Sequence, residues 1–387
     1  VGDTLRRVAV LGVTGSIGQQ TLEVLRRERE SLRLVSIAGG RRVEEMVRIA
    51  REFSVEQIGV TNEADREKVH AEIPDVNVVV GPEGLESLAS TADVVVNAVV
   101  GFAGLPVTLG ALRSGARLAL ANKESLVVAA PLVNSVRGNS RSEIVPIDSE
   151  HCAIHQCLAN SSVGHPTVRR LILTASGGPF RGRSVSELRE VTLEEALQHP
   201  TWSMGPKITV DSSTLMNKGL EVLEAAALFG VSVDRIDVVI HPQSIVHSMV
   251  EYIDGSTIAQ LSQPDMRLPI AYALALPERF DHAWGALSFR EAVNLTFEPP
   301  NRDAFPALTL AYAVGRRGGA MPAWLSAANE VAVEAFLSGH IGWHQIVPIV
   351  EETLAHYVDD PLTSIEALYE HDAEARARAR DLIRRAP

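Results

Sequence analysis

The first third of the chain alternates short apolar runs with longer stretches in which apolar residues recur every three or four positions. Runs at 7–11, 34–38, 57–61, 76–80, 92–100 and 117–121 are nearly continuous in valine, leucine, isoleucine and alanine. Strands read this way when helices cover both faces of a parallel sheet, leaving neither face for polar residues. Helical spacing occupies 19–27, 42–53, 105–114 and 126–136. The alternation predicts a doubly wound, Rossmann-like α/β domain over 1–147.

The pattern then changes twice. Over 148–285 strand-like runs at 171–175 and 231–250, a hairpin turn at 254–257 leading into 258–261, a short helix at 192–197 and a helix beginning near Asp211 predict a central α/β domain whose sheet also offers a flat dimerisation surface. Asp211, Ser212 or Ser213 is the expected cap of that helix. After a linker at 286–301, four helix-length segments at 304–314, 322–337, 343–357 and 365–383 predict a helical bundle over 302–387, with Pro322 and Pro361 near helix starts.

A length of 387 residues suits two or three domains, and 46% hydrophobic with 22% charged residues suits globular ones. The formal charge of −12 makes nucleic acid and anionic membrane poor partners, although a locally basic pocket still accommodates a phosphate. Residues 1–7 lead into a strand rather than a secretory signal, and no apolar run reaches membrane-spanning length. Cys152 and Cys157 form no metal or redox pattern, which points to a reducing cytoplasm. Glycosylation-type triplets at 160–162 and 294–296 carry little weight without a secretory context. The charged stretch at 370–385 reads as a solvated helix face.

Candidate chemistry clusters at the strand ends. GVTGSIG at 12–18 follows the first strand and opens a helix, where backbone N–H groups and the helix dipole hold a pyrophosphate; a purely structural tight turn is the alternative. After the second strand an acid would grip ribose hydroxyls, but Gly39, Gly40, Arg41 and Arg42 stand there. Guanidinium groups suit a 2′-phosphate, so NADPH is favoured over NADH, unless the arginines are ordinary surface charge. Asn97, Ala98 and Gly101 pass beneath a nicotinamide or merely end a strand. Asn122, Lys123 and Glu124 follow another strand, where Lys123 meets substrate oxygens, neutralises a carboxylate or faces solvent.

The run at 143–151 delivers Asp148 and Glu150 at alternate positions. In a strand they share one face about 6–7 Å apart, a chelating spacing for a hard divalent cation, and His151 points away from them. A solvated strand end is the alternative. Ser176 with Gly177 and Gly178 forms either an anion-binding turn or a hairpin loop. The loop at 199–207 holds His199, Trp202 and Gly205 between prolines and reads as a mobile cover over a reacting centre, or as packing. Ser212, Asn217 and Lys218 supply a hydroxyl, an amide and a cation for a phosphate monoester. Glu221, on the face shared with Asn217, is a candidate third carboxylate for the metal. His241, His247 and the Asn329-Glu330 pair are weaker candidates, equally explained by packing and capping.

In order, GVTGSIG (12–18), NKE (122–124), PIDSEH (146–151), TASGGPF (174–180), HPTWSMG (199–205), MNKGLE (216–221) and HPQSIVHSMV (241–250) resemble the 1-deoxy-D-xylulose 5-phosphate reductoisomerase family across essentially the whole chain. The resemblance implies an enzyme using NADPH and Mg²⁺ or Mn²⁺ in non-mevalonate isoprenoid biosynthesis, acting on a phosphorylated ketose and assembling as a homodimer. It implies Asp148, Glu150 and Glu221 as metal ligands. Lys123, Ser149, Glu150, Ser176, His199, Trp202, Ser212, Asn217, Lys218, Glu221 and His247 are the expected substrate contacts, with Lys123, Glu150 and His199 catalytic. The cofactor set is Thr14, Gly15, Ser16, Ile17, Gly39, Gly40, Arg41, Ala98, Asn122, Glu124 and Gly205. Arg41 stands where the family often has asparagine. A metal-independent dehydrogenase and a non-catalytic NADPH-responsive scaffold are the competing readings, and neither accounts for three acids beside an anion-binding set.

Overall fold

The computed structural model describes residues 5–138, 140–158, 167–202, 204–360 and 362–385. The first four residues, the triplet Asn160, Ser161 and Ser162, Ser203 of the candidate loop, and Pro361 lie outside the described residues. The chain forms two compact units: 1–125 with 133–152 and 265–286, and 126–132 with 153–264 and 287–387.

The first unit is built on strands β1 (Arg6–Leu11), β2 (Leu32–Ala38), β3 (Gln57–Val60), β4 (Asn77–Val80), β5 (Val94–Asn97), β6 (Arg117–Leu120) and β7 (Ile144–Pro146). They run in the order β4-β3-β2-β1-β5-β6-β7, every pair parallel. The order reverses between β1 and β5, the switch point where such sheets bind ligands beyond their carboxyl ends. Val8, Val10, Ile37, Ile58, Val96, Ala119 and Val145 are fully buried between the helical layers, explaining the unbroken apolar runs. Helix Ser16–Arg27 contributes Leu22, Val24 and Leu25 to this core, each worth roughly 1.5–3 kcal/mol of transfer energy.

Helices Glu63–Glu72, Gly81–Ala89 and Arg267–Ala275 are not apparent in the apolar spacing. The last packs against helix Ser16–Arg27, β6 and β7. Its end is held by Arg6, which donates to the Leu274 carbonyl, and by Arg117 Nη1, 2.6 Å from the Leu276 carbonyl.

The second unit contains β8 (Val168–Ala175), β9 (Ile236–Ile240), β10 (Val246–Tyr252) and β11 (Thr257–Leu261), ordered β11-β10-β8-β9. β8 and β9 are parallel; the other pairs are antiparallel. The predicted hairpin is present, with Gly255 at φ 88° and the Ser256 N–H donating to Asp254 Oδ1 at 2.9 Å. The run at 231–250 breaks between β9 and β10 because His241 holds the chain there. Its Nε2 accepts the Ile245 and Val246 N–H groups at 3.2 Å each, so Nδ1 carries the proton donated to the Thr296 carbonyl at 2.8 Å.

Helices Ala307–Arg317, Met321–Leu337, Ile346–Ala355 and Ile365–Arg385 follow the four predicted segments within a few residues. Met321–Leu337 packs against Ile346–Ala355 and Ile365–Arg385, burying Trp324, whose Nε1 reaches His371 Nδ1 at 3.2 Å. Among the described residues no helix is long and apolar enough to cross a membrane.

Candidate active site

The first unit carries an anion cradle. Gly12 adopts φ 91°, and a Cβ there would lie 2.2 Å from the Ala98 carbonyl oxygen; one on Gly18 would lie 2.4 Å from the Gly12 and Val13 oxygens. Only glycine fits either place. Gly15 caps helix Ser16–Arg27 in an extended conformation with no side-chain cap, so the helix N-terminus keeps its donors for an anion. Thr14 is buried, whereas Ser16 is exposed and Ile17 half-buried.

A Cβ on Gly39 would meet Met46 Sδ at 2.6 Å, which seats this turn on helix Val43–Phe53. Arg41 and Arg42 are both exposed. Arg42 donates to the Thr14 carbonyl and pairs with Glu45 at 3.1 Å, tying the second-strand turn to the glycine turn. That tie was not legible in the sequence.

At the end of β6, Asn122 caps the helix that opens with Lys123, accepting the Ser125 N–H at 2.8 Å. Lys123 Nζ lies 3.0 Å from Asp148 Oδ2. The segment around Asp148 corrects the strand reading: β7 ends at Pro146, and Ser149–Cys157 is helical. The Cys152 N–H bonds the Asp148 carbonyl at 2.8 Å, closing the first turn.

Asp148 and Glu150 nevertheless offer carboxylate oxygens within 4.8 Å of each other. Turn geometry, rather than strand alternation, brings them close. His151 likewise does not point away; it is fully buried, and its Nδ1 lies 2.8 Å from Asp148 Oδ1. The Ser149 hydroxyl donates to Glu150. Two carboxylates this close, supported by one ammonium, form an all-oxygen set suited to a hard divalent cation.

The second unit carries the other candidates. Ser176 follows β8, and Gly177 and Gly178 adopt φ 88° and 68°. A Cβ on Gly178 would sit 2.7 Å from the Ser212 carbonyl oxygen, so this turn lies directly against the end of helix Pro206–Ser213. Asp211, Ser212 and Ser213 therefore finish one helix and do not cap the next, which starts at Met216 after Leu215 in the left-handed region (φ 61°).

Asp211 is buried, 2.9 Å from Lys207 Nζ, and accepts from Asn329 Nδ2 at 2.7 Å; Ser213 Oγ accepts from Trp343 Nε1 at 2.8 Å. Asn329 and its neighbour Glu330, which pairs with Arg376 at 2.5 Å, serve these contacts.

His199 organises its own loop. Its Nδ1 accepts the Thr201 and Trp202 N–H groups at 3.2 and 2.9 Å, so Nε2 bears the proton that faces Ser176 Oγ at 3.1 Å. The half-buried Trp202 ring stands 6.3 Å from the His247 ring, and buried His247 bonds Ser262 Oγ at 2.9 Å. Gly205 is the exposed cap of helix Pro206–Ser213. On helix Met216–Phe229, Asn217 Nδ2 donates to Glu221 at 2.6 Å and Lys218 pairs with the same carboxylate, both Lys218 and Glu221 being buried. The second unit thus holds a hydroxyl, an amide, an ammonium and a carboxylate in two neighbouring helices.

Family profiles described as 1-deoxy-D-xylulose 5-phosphate reductoisomerase match residues 8–130, and profiles for its C-terminal domains match 144–229 and 261–378. The chain is 46% identical over 384 residues to the 1-deoxy-D-xylulose 5-phosphate reductoisomerase of Desulfitobacterium hafniense, covering 98% of this chain and 100% of that one. Identity to the Xanthomonas euvesicatoria enzyme is 49% over 381 residues, covering 97% and 96%. Among solved structures, the Zymomonas mobilis enzyme in complex with NADPH superposes with a TM-score of 0.93 at 41% identity, covering 99% of this chain and 100% of that one. A DOX-P reductoisomerase in complex with NADPH, fosmidomycin and magnesium gives 0.91 at 40% identity, covering 98% of each.

Proposed function

The chain belongs to the 1-deoxy-D-xylulose 5-phosphate reductoisomerase family, and on that premise we propose how its own residues divide the reaction. The enzyme uses NADPH and a divalent metal to isomerise and reduce 1-deoxy-D-xylulose 5-phosphate to 2-C-methyl-D-erythritol 4-phosphate in non-mevalonate isoprenoid biosynthesis. When bound, NADPH supplies the hydride and the ion supplies Lewis acidity at neighbouring substrate oxygens.

Asp148, Glu150 and Glu221 hold the metal. The paired oxygens of Asp148 and Glu150 carry this assignment, since two carboxylates within 4.8 Å call for a cation. Lys123 holds the Asp148 carboxylate in place and supplies a cation for the substrate's oxygens. Ser149 contacts a substrate hydroxyl, and Glu150 moves a proton there as the carbon skeleton rearranges.

Ser176, Ser212, Asn217 and Lys218 grip the phosphate. Binding energy gathered there, away from the reacting carbons, orients them and favours closure of the loop at 199–205. His199 holds that loop against Ser176 and meets the substrate with its Nε2 proton, while Trp202 and His247 line the apolar side and exclude water.

Thr14, Gly15, Ser16 and Ile17 receive the pyrophosphate. Gly39, Gly40 and Arg41 border the adenosine ribose, with the exposed Arg41 guanidinium on the 2′-phosphate. Ala98, Asn122, Glu124 and Gly205 complete the cofactor contacts. We place the enzyme in the cytoplasm, without nucleic-acid or membrane partners. Pairing into a homodimer through the edge of the second sheet is supported by exposed Ile258 and Leu261 on the outermost strand β11.

Mn²⁺ titration followed by electron paramagnetic resonance tests the metal assignment. Asp148→Asn, Glu150→Gln and Glu221→Gln are each expected to weaken Mn²⁺ binding at least about tenfold. Wild-type affinity in any of them removes that residue from the set.

A further inference from the structure

Behind the proposed nicotinamide-side turn of the first unit lies a chain of buried side chains of which the reaction as described uses only Asn122. Asn97, Thr108 and Ser125 are fully buried and Asn122 is 2% exposed. Asn97 Nδ2 donates to the Gly104 carbonyl at 2.8 Å and to Thr108 Oγ1 at 2.9 Å, while its Oδ1 accepts the Val99 N–H at 3.3 Å. Thr108 Oγ1 lies 2.9 Å from Ser125 Oγ, whose single proton goes to the Asn122 carbonyl at 3.2 Å.

One arrangement gives every donor an acceptor: the Thr108 hydroxyl accepts from the Asn97 amide and donates to Ser125, which donates to the Asn122 carbonyl. The series ends on Asn122, whose Nδ2 donates to the Val99 and Gly101 carbonyls at 2.6 and 2.7 Å and whose Oδ1 caps the helix starting at Lys123. A Cβ on Gly104 would lie 2.6 Å from Asn122 Cγ, so the backbone presses directly on that amide.

We infer that Thr108 and Ser125 are positioning residues of this reductoisomerase: their hydroxyl chain fixes both the turn at 98–104, against which the cofactor's nicotinamide end lies, and Lys123, which holds Asp148. The inference rests on the roles proposed above for Ala98, Asn122 and Lys123. Neither hydroxyl touches substrate or cofactor. Each acts by leaving the turn and the helix start one hydrogen-bonded arrangement, because any slip strands a buried donor or acceptor.

The test compares full-length wild type with Thr108→Val, Thr108→Ser and Ser125→Ala. NADPH affinity is read from the fluorescence of the bound nicotinamide, and kcat and KM from NADPH oxidation with substrate and Mg²⁺, all well below the melting temperature of each protein. Thr108→Val is expected to bind NADPH at least about threefold more weakly and to lose about tenfold in kcat, whereas Thr108→Ser stays within about twofold of wild type.

A folded Thr108→Val that matches wild type in both readouts overturns the inference, and so does a Thr108→Ser as impaired as the valine variant, which would assign the effect to packing. Should Thr108→Val not fold, Ser125→Ala decides: a lowered kcat supports the hydroxyl chain and a wild-type kcat overturns it. If wild type itself does not turn over this substrate, the proposed function fails, and the NADPH affinities alone then decide the positioning role.

Discussion

Lys123 Nζ lies 3.0 Å from Asp148 Oδ2, and the two side chains are only 11% and 12% exposed. An ion pair so shielded holds its geometry far better than one in water. With Glu150 beside Asp148, the lysine is the ammonium that offsets this carboxylate pair before a metal arrives.

Lys123→Met is therefore expected to lower kcat/KM by about a hundredfold or more, since a preorganised charge at the reacting oxygens is lost. Lys123→Arg is expected to recover little, because a planar guanidinium does not occupy the place of a compact ammonium. Steady-state kinetics at saturating Mg²⁺ checks both, and near-wild-type turnover in Lys123→Met would contradict the assignment.

Gly18→Ala tests the cradle by sterics alone, for its Cβ would stand 2.4 Å from two backbone oxygens. Backbone yields at a cost, so the variant is expected to lose about 1–3 kcal/mol of stability and most of its NADPH affinity. Urea denaturation and fluorescence titration measure the two effects; unchanged values for both would mean that the turn relaxes freely.

Lys218→Gln is expected to raise KM for the phosphorylated ketose by about tenfold to a hundredfold, the worth of a charge-assisted contact to phosphate. The same ketose without its phosphate provides the control. If the variant loses as much on that substrate, Lys218 acts through its buried partner Glu221 and does not grip phosphate.

Asp265 is one of the first unit's carboxyls that contribute to acid stability. Burial pushes the Asp265 carboxyl upward, but the Arg267 guanidinium and backbone N–H outweigh it, holding the group below its ordinary value of 3.8. The bonds are 2.9 Å from the Arg267 N–H and 2.8 Å from Nη2. A depressed carboxylate stabilises fully above the unfolded value and loses that contribution as pH falls through the folded one. The stability difference between wild type and Asp265→Asn is thus expected to stay constant from about pH 8 to about pH 5 and to shrink below about pH 4. Denaturation curves across that range check the sign, and a difference that grows on acidification would contradict it.

Legibility in the sequence followed burial pattern. Parallel strands with both faces covered announce themselves as unbroken apolar runs, and the last four helices stand out because glycine, proline and aspartate separate them. Helix Arg267–Ala275 does not, because residues 269–275 are buried all round and leave no amphipathic period. The acids at 148 and 150 do form a pair, but through a helical turn and not through strand alternation. An apolar run followed by alternating carboxylates imitates a strand, while Ser149 opens a helix whose turn places Asp148 against His151. Hydrogen-bond chains such as Asn97-Thr108-Ser125-Asn122 join separate elements and leave no periodic trace, although an asparagine three residues before a serine at a helix start is a capping signal.

NADPH oxidation with 1-deoxy-D-xylulose 5-phosphate, followed at 340 nm with Mn²⁺ and with excess chelator and completed by identifying the carbon product, tests the central claim most directly. The expected result is oxidation only with metal, one branched 2-C-methyl-D-erythritol 4-phosphate formed per NADPH consumed. Oxidation that persists in chelator, or a product with an unbranched skeleton, would contradict a metal-dependent reductoisomerase.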